Sequence, residues 1–200
     1  MKTQGQLLSQ DSGDTERYTC PAIMLKVRLF FGQIDLDPAS TKVANKTVQA
    51  SRIITKKGDG LTKPWKAQNV WLNHPFQKGE KACKPNCKKK TCNDPNTINY
   101  RGYCIVDDIP SNLMWMEKLV SEFKKGNFQE SLNVTFVNSS ENWCQLLLRE
   151  GIQCFVAKRI EYYSPTGKKS GGVTKGSMIT YLGPRKDEFK AFFSDIGVVK

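Results

Sequence analysis

A chain of 200 residues can bury a hydrophobic core without disulfide bonds, so we expect a single domain over residues 17–200. Lysine and arginine number 31 against 19 aspartates and glutamates, and this net charge of +12 favours a polyanionic partner, nucleic acid before an anionic membrane surface. The absence of an apolar signal-peptide core and of about 18 consecutive apolar residues argues against secretion and membrane insertion. We therefore expect an intracellular protein whose cysteines are reduced.

The first part of the chain predicts an arm followed by two helices and a strand. Residues 1–16 are polar and aperiodic and are predicted to form a loose arm. The apolar side chains of residues 22–31 recur at three- and four-residue spacing, which predicts a helix that ends at Gly32. The alternating segment Ile34-Asp35-Leu36-Asp37 predicts a short strand with its carboxylates near the end. A second helix is predicted from Ala39 to about Ala50.

A turn and a strand come next. The turn is bounded by glycines and carries one acid, Asp59, which in isolation is a solvent-facing turn residue. Val70-Trp71-Leu72 predicts a buried strand that ends in the loop Asn73-His74-Pro75-Phe76, because proline cannot continue a sheet ladder. If the strands are parallel, the carboxylates of Asp35 and Asp37 lie at the same edge of the sheet as Asn73, where open α/β sheets bind ligands.

The loop Asn73 to Phe76 has groups suited to chemistry on the exocyclic amine of a nucleobase. The lone pair of that nitrogen is delocalised into the ring, so the amine reacts only if acceptors hold its hydrogens. The side-chain oxygen of Asn73 and the carbonyl of His74 can be those acceptors. Pro75 stiffens the loop, and Phe76 can stack on the base. The alternative is a strand that ends in an ordinary turn.

Residues 77–106 differ sharply in composition from the rest of the chain, with many lysines and almost no aliphatic side chains for a core. Four thiolates on one structural zinc ion would supply the missing order. The spacing C-x3-C-x4-C-x11-C is close to a zinc-finger pattern and predicts Cys83, Cys87, Cys92 and Cys104 as ligands. A loop with free thiols is the alternative. The other cysteines, Cys20, Cys144 and Cys154, are predicted to be small core residues.

From Pro110 onward the sequence again alternates between helix and strand patterns. Ser111 is the predicted N-cap of a helix that ends near Gly126. Further helices are predicted over 141–149 and 186–195, strands over 134–137, 154–157, 177–183 and 196–199, and a loop over 164–176. This alternation predicts an α/β fold.

With its motifs in order, the chain resembles the small Dam-like DNA N6-adenine methyltransferases of phages and prophages. The resemblance covers most of the chain and rests on the order and spacing of several motifs together. They are Tyr18-Thr19-Cys20-Pro21, IDLDPAS from Ile34 to Ser40, Asp59-Gly60-Leu61 with Trp65, NHPF from Asn73, and the later RIEYY and GVTKGSMITYLG. The resemblance implies a Rossmann-like methyltransferase sheet carrying the cysteine- and lysine-rich insertion, in the cytoplasm of a bacterium or a phage-infected host.

The same resemblance implies S-adenosylmethionine as the methyl donor. Carried over by position, Asp37 and Pro38 would contact the cofactor at the end of the first strand, with Asp35 the weaker of the two acidic candidates. Asp59 and Gly60 would form a second cofactor contact or support its loop. The chain has no glycine-rich phosphate loop, which fits a cofactor without phosphates.

The resemblance also implies double-stranded DNA as the substrate. Residues 73–76 would hold an adenine flipped out of the duplex, and the methyl group would pass directly to N6. Catalysis would come from positioning and from acceptors that stabilise the positive charge growing on N6. The insertion would face the DNA, with phosphates neutralised by Lys84, Lys88, Lys89, Lys90 and Arg101. A solvated basic loop is the alternative for this segment.

One departure concerns the catalytic tetrapeptide, which in the family normally has two prolines and here has His74 in the first place. The chemistry needs a backbone carbonyl there, and Pro75 still restrains its orientation, so we expect an active enzyme. The other interpretation makes His74 a zinc ligand. Two alternative functions follow: a zinc-dependent DNA-binding protein that has lost catalysis, and a methyltransferase that acts on RNA or on a protein amine.

Overall fold

Strands and helices alternate along the chain, and the computed structural model describes them over residues 17–164, 166–169 and 175–200. The strands are β1 (Tyr18–Thr19), β2 (Leu36–Asp37), β3 (Arg52–Ile53), β4 (Asn69–Leu72), β5 (Glu130–Phe136), β6 (Ile152–Val156), β7 (Tyr162–Tyr163), β8 (Ser177–Leu182) and β9 (Gly197–Val199). The helices are α1 (Pro21–Phe31), α2 (Asn45–Val48), α3 (Lys90–Asn93), α4 (Asn112–Lys124), α5 (Asn142–Glu150) and α6 (Lys186–Phe193). The predicted α/β class is confirmed.

Seven of these strands form one mixed sheet in the order β3-β2-β4-β5-β8-β6-β9. The neighbours from β3 to β5 are parallel, whereas β8 is antiparallel to both β5 and β6. The chain leaves β2 for β3 on one side and then returns past β2 to β4 on the other. Open α/β sheets commonly bind ligands at such a reversal, which here lies at the carboxyl ends of β2 and β4.

Helices cover both faces of the sheet. Along β4, Val70 and Leu72 belong to one buried cluster and Trp71 to another, because successive side chains of a strand point to opposite faces. The cluster around Trp71 includes side chains of α1 and α6, and the other includes side chains of α4 and α5. Burial on both faces explains why this strand is continuously apolar.

The helix predicted from Ala39 to about Ala50 is wrong in extent, since only Asn45–Val48 is helical. Local side-chain hydrogen bonds compete with a continuous helix in this segment. The carboxylate of Asp37 accepts from the backbone N–H of Ala39 at 3.1 Å. The side chain of Asn45 exchanges two hydrogen bonds with the backbone of Ala50, at 2.8 and 3.1 Å. These bonds turn the chain toward β3 after a single helical turn.

Most other predicted elements are confirmed. Helix α4 begins at the predicted N-cap, where the hydroxyl of Ser111 accepts a hydrogen bond from the backbone N–H of Met114 at 3.3 Å. Helices α1, α5 and α6 and strands β4, β6, β8 and β9 lie within a few residues of their predicted bounds. Strand β5 begins earlier than predicted, at Glu130, because it buries the polar residues Ser131 and Asn133, which an apolar pattern does not mark.

The three cysteines outside the insertion are only partly as predicted. Cys144 and Cys154 are fully buried in the core. Cys20 is half-buried at the start of α1, where it packs against the core without entering it.

Two predicted segments fall wholly or partly outside the described residues. The predicted arm, residues 1–16, and part of the loop predicted over 164–176 lie outside the described residues. Within the described ranges, every helix is too short or too polar to cross a lipid bilayer. The insertion over residues 77–106 connects β4 to α4.

A buried carboxylate ties the segment before β4 to helix α4. Glu122 is 3% exposed, and one of its oxygens accepts from the backbone N–H of Trp65 at 2.9 Å and from the side chain of Asn127 at 2.8 Å. The other oxygen pairs with Lys118 at 2.8 Å. Burial raises the pKa of this carboxyl, but the Lys118 pair and the two N–H donors outweigh it, so the pKa lies below its ordinary value.

We predict that Glu122→Gln lowers the free energy of unfolding at pH 7 by about 2 kcal/mol, because a charged acceptor of three hydrogen bonds is removed. A lowered carboxyl pKa stabilises the fold above the ordinary value of 4.5, and that stabilisation disappears as the pH falls through the folded-state pKa. The difference in melting temperature between wild type and variant should therefore shrink in acid. A difference that stays constant from pH 7 to pH 3 would contradict this account.

Candidate functional site

The acidic motif and the tetrapeptide meet at one edge of the sheet. Strands β2 and β4 are parallel neighbours with Leu36 opposite Val70. Asp37 is the last residue of β2, and Asn73 directly follows β4. The prediction of a shared edge is therefore confirmed for Asp37 and Asn73.

Asp37 is a buried acid at this edge. It is 3% exposed, and its Oδ1 accepts from the backbone N–H of Ala39 at 3.1 Å. Burial raises the pKa of Asp37 to about 7, and the hydrogen bond from Ala39 offsets this only in part. A buried carboxyl that is ready to lose its proton near neutral pH gains stability from a ligand with hydroxyl, amino or positively charged groups.

The turn that carries Asp59 and Gly60 packs directly on the residue after Asp37. A side chain at position 60 would overlap the carbonyl oxygen of Pro38, so this close approach requires glycine. The indole of Trp65 holds the turn by donating to the carbonyl of Gly60 at 2.7 Å. Asp59 is exposed and left-handed with φ of 53°, and its carboxylate accepts from the backbone N–H of Leu61 at 3.1 Å. Gly60 thus lies at the edge, and Asp59 shapes the turn behind it.

Asp35 lies at the opposite end of the strands. Its carboxylate accepts from the backbone N–H of Gln68 at 2.8 Å and lies 3.5 Å from the guanidinium of Arg52. Gln68 immediately precedes β4, so these contacts are at the amino ends of the parallel strands. Asp35 therefore joins β2, β3 and β4 at their amino ends, and the prediction that its carboxylate shares an edge with Asn73 is wrong, because the backbone of Gln68 and the guanidinium of Arg52 bind it there.

The side-chain amide of Asn73 is held in one orientation. Its Nδ2 donates to the carbonyl of Arg17 at 2.7 Å and to the hydroxyl of Thr19 at 3.1 Å. An amide nitrogen has two N–H groups, and both are used. The Oδ1 atom is buried, and no described residue donates to it. The arrangement presents one unsatisfied acceptor at the carboxyl end of β4.

The strand that orients Asn73 is itself fixed. Strand β1 pairs antiparallel with β7, with Tyr18 opposite Tyr163 and Thr19 opposite Tyr162. The hydroxyls of Tyr18 and Thr41 lie 2.9 Å apart, which links β1 to the segment after β2. Two motifs that are far apart in sequence, Tyr18-Thr19 and RIEYY, therefore come together beside the tetrapeptide.

His74 is a buried, neutral histidine. It is 1% exposed, and its Nε2 lies 3.1 Å from Oδ1 of Asn112. That oxygen also accepts from the backbone N–H of Gln77 at 3.1 Å, so Nε2 must carry the proton of the imidazole. Burial lowers the pKa of His74 to about 4 despite the Asn112 contact. The ring packs 4.8 Å from Phe76 and lies outside the cluster of possible metal ligands.

The aromatic ring of the tetrapeptide packs against a second aromatic ring. Phe76 is half-buried, and its ring centre lies 4.7 Å from that of Phe136 at the end of β5. Pro75, which precedes Phe76, is also half-buried. The carboxyl edge of β4 and β5 therefore carries an aromatic surface next to the acceptor of Asn73.

The four cysteines of the insertion come together as predicted. The sulfur atoms of Cys83, Cys87, Cys92 and Cys104 all lie within 4.8 Å of one another. Those of Cys83 and Cys92 are 3.7 Å apart, and a tetrahedron with metal–sulfur bonds of about 2.3 Å separates its sulfurs by about 3.8 Å. The cluster could therefore hold one metal ion.

N–H groups donate to two of the four sulfurs of this cluster. Arg101 donates to the sulfur of Cys92 at 3.3 Å, and the backbone N–H of Ile105 donates to the sulfur of Cys83 at 3.4 Å. The Arg101 guanidinium lowers the pKa of Cys92 to about 7, whereas burial raises the pKa of Cys83 and raises that of Cys104 to about 12. Thiolates are the form in which cysteine binds metal, so Arg101 favours that form at Cys92, and a bound cation would have to stabilise it at Cys83 and Cys104.

Glu80 organises the base of the insertion. Arg101 forms a bidentate pair with its carboxylate at 2.8 and 2.9 Å, and Lys89 lies 2.9 Å from it. These two cations lower the pKa of Glu80 to about 2.

Lys89 and Arg101, both predicted to bind phosphate, are thus engaged inside the insertion. The other three predicted phosphate contacts, Lys84, Lys88 and Lys90, are exposed and form no ion pair with any residue in the described ranges.

The contacts of several site residues were not indicated by sequence patterns. Thr19, Asn112 and Glu80 act through contacts with residues more than 20 positions away, except for the Glu80–Lys89 pair. Thr19 lies in the motif Tyr18-Thr19-Cys20-Pro21, which did not indicate its contact with Asn73, and Asn112 and Glu80 belong to no motif. A single buried polar residue next to a motif is a signal only once the fold is known.

We predict that Asp37→Asn makes the protein more stable than wild type as the pH rises from 4 to 7. A carboxyl whose pKa is raised from 3.8 to about 7 costs stability over that interval, because the unfolded chain ionises first. Melting temperatures of both proteins at pH 4, 5.5, 7 and 8 test this. The advantage of the variant should grow to about pH 7 and then level off, and an advantage independent of pH would refute the burial of an acid here.

Comparison with known proteins gives no match to a protein-family model, to a curated protein or to a solved structure. The mixed sheet is compatible with a Rossmann-like fold, and the cysteine cluster could hold a metal ion. The activity must therefore be inferred from the residues of the site and from their geometry.

Proposed function

We propose that the protein transfers a methyl group from S-adenosylmethionine to N6 of adenine in double-stranded DNA. The observation that carries the proposal is the fixed amide of Asn73, whose unsatisfied Oδ1 lies at the end of β4 beside β2. An exocyclic amine donates hydrogen bonds, so an acceptor is the group such a substrate requires. The position agrees with the crevice expected where the strand order reverses.

The residues at the end of β2 fit the proposed cofactor. S-adenosylmethionine supplies an electrophilic methyl group on a sulfonium, together with hydroxyl and amino groups that donate hydrogen bonds. The carboxyl of Asp37 can accept such donors, and its ionised form would stabilise a positive charge nearby. The close packing of Gly60 on Pro38 shapes the wall of the same edge. No phosphate is present in this cofactor, which agrees with the lack of a glycine-rich phosphate loop.

The groups around β4 would act on the base. Asn73 Oδ1 and the carbonyl of His74 would accept the two N6 hydrogens, and Phe76 would stack on the ring of the flipped adenine. N6 would form its bond to the methyl carbon as the carbon–sulfur bond of the sulfonium breaks to leave a neutral thioether, and N6 would carry a positive charge until it loses a proton to water. Both acceptors interact more strongly with that charge than with the neutral amine, so they would lower the barrier.

The contacts of His74 explain how it could replace a proline. A proline ring fixes φ, and that restraint is absent in histidine. Here the imidazole is buried and lies 3.1 Å from Asn112, so residue 74 is restrained through its side chain. The weaker alternative is a DNA-binding protein without catalysis, and the substituted tetrapeptide is the observation that favours it.

We further propose that the metal of the cysteine cluster is a structural zinc ion. Four thiolates complete the tetrahedral shell of zinc and leave no position for a substrate, which is typical of structural sites. The zinc would stabilise an insertion that has only two buried hydrophobic side chains, Cys92 and Ile105, among its described residues. The zinc would thereby fix the DNA-facing surface of the basic insertion.

We predict that Asn73→Ala abolishes most methyl transfer to duplex DNA, with a decrease of about 100-fold or more in kcat, because an acceptor aimed at the developing charge is removed. Its melting temperature should stay within a few degrees of wild type. The assay is mass analysis of DNA hydrolysates for N6-methyladenine, with RNA and protein offered as separate substrates. If only RNA or only protein is methylated, DNA is not the substrate.

Two matched variants sharpen this test. Thr19→Val keeps Asn73 but removes one of the two bonds that orient its amide, and should give an intermediate decrease in turnover. Asn142→Ala removes an exposed asparagine at the start of α5 and should leave turnover unchanged. Near wild-type turnover by Asn73→Ala would remove Asn73 from the mechanism.

We predict one zinc ion per chain in the purified protein, measured by elemental analysis, and loss of that zinc in Cys92→Ser. Cys20→Ser serves as the control, because Cys20 lies outside the cluster. Chelation of the zinc should weaken DNA binding more than binding of S-adenosylmethionine, since the insertion and the end of β2 are separate parts of the site. Zinc far below one equivalent in freshly purified wild type would count against the assignment.

A further inference from the structure

The insertion exposes a row of large apolar side chains. Ile98 and Val106 are 81% and 86% exposed, and Tyr100 and Tyr103 between them are also exposed. We call residues 98–106 the apolar ridge. Such side chains are costly in water when they cluster on a surface, and clusters of this kind mark contact sites.

Hydrogen bonds hold the apolar ridge to the cysteine cluster. The backbone N–H of Arg101 donates to the carbonyl of Thr91 at 2.9 Å, and the Arg101 side chain donates to the carbonyl of Tyr103 at 3.2 Å. Gly102 makes the turn between the two tyrosines with φ of 73°. Cys104, one of the four clustered cysteines, lies within the ridge. The ridge therefore has a defined shape that depends on the cluster.

The apolar ridge is embedded in positive charge. The insertion over residues 77–106 has seven lysines and arginines against two acidic residues. One of those acids, Glu80, is already paired with Lys89 and Arg101. Lys84, Lys88 and Lys90 remain exposed on the other half of the insertion. A positively charged surface with exposed aromatic rings matches a partner that combines phosphates with stacked bases.

The base of the insertion is fixed beside the proposed methyl-transfer site. Gln77 directly follows the tetrapeptide, and its backbone N–H and carbonyl bond to the side chain and backbone of Asn112, both at 3.1 Å. Gly79 packs against Ser111, where a side chain would collide. The backbones of Glu80 and Ile109 then pair antiparallel. A duplex that delivers a base to Asn73 would therefore lie next to the insertion.

We propose that the apolar ridge enters a groove of duplex DNA and contacts bases there, while Lys84, Lys88 and Lys90 contact the flanking phosphates. The inference rests on the proposed function for its choice of DNA as the partner. It assigns the ridge to base contact and the lysines to the phosphate backbone, which makes two separable contributions to affinity. Phosphate contacts weaken with salt, whereas apolar contacts with bases do not.

The test measures the affinity of the full-length, zinc-loaded protein for a fluorescent adenine-containing duplex over a range of KCl concentrations. The ridge variant Ile98→Ser/Val106→Ser should bind about tenfold more weakly at every concentration, with an unchanged slope of log K against log salt. The lysine variant Lys88→Gln/Lys90→Gln should reduce that slope by about 0.9 for each phosphate that is no longer neutralised. Leu25→Ser/Leu29→Ser, an exposed apolar pair on α1, is the matched control and should bind like wild type.

A second probe separates base contact from charge. Heparin offers anionic groups without bases, so the ridge variant should bind it like wild type, whereas the lysine variant should bind it more weakly. Zinc content and melting temperature of each variant confirm that the insertion is intact. The proposal is overturned if the ridge variant binds duplex DNA with wild-type affinity, or if wild type does not bind DNA. It is also overturned if the ridge variant loses as much affinity for heparin as for duplex DNA, or loses more affinity for duplex RNA.

The outcome is distinguishable from a failure of the proposed chemistry. If wild type leaves DNA unmethylated but the ridge variant still binds more weakly at constant slope, the ridge assignment stands and the transferase assignment falls. If wild type forms N6-methyladenine and the ridge variant binds and methylates equally well, only the ridge assignment falls.

Discussion

The structure of this sheet edge depends on the orientation of one side-chain amide. An amide has a donor end and an acceptor end of nearly equal size, and in Asn73 both N–H groups are occupied by β1 and the residue before it. The buried oxygen has no donor among the described residues, so a ligand that reached it would have to donate a hydrogen bond. The β1–β7 pair and the Tyr18–Thr41 contact fix the strand that orients this amide.

The electrostatics of the molecule divide into two regions. At the sheet edge the ionisable groups are a buried acid with a raised pKa, Asp37, and a buried neutral histidine, His74. The excess positive charge lies elsewhere and is dense in the insertion. A polyanion is therefore attracted to the insertion, while the sheet edge next to it favours positively charged or hydrogen-bond-donating groups. Under the proposed function, the insertion would hold DNA and the sheet edge would serve methyl transfer.

Local patterns predicted the parts of the site that depend on short segments. Proline after an apolar run located the end of β4, and cysteine spacing located the cluster, because each depends on residues close in sequence. The helix predicted from Ala39 to Ala50 failed, since side-chain hydrogen bonds override helical propensity there. The partners Thr19 and Asn112 could not be predicted, because they reach the tetrapeptide only through tertiary packing.

The pairing of β1 with β7 also bears on when the site forms during synthesis. The two strands are far apart in sequence, so their pairing closes a very long loop at a cost in chain entropy. A nascent chain that has completed β2, β4 and the insertion still lacks β7, and without it β1 has no partner strand. The amide of Asn73 would thus acquire its fixed orientation only after most of the chain has left the ribosome. Incomplete chains would then carry a basic insertion beside an Asn73 amide that is not yet oriented.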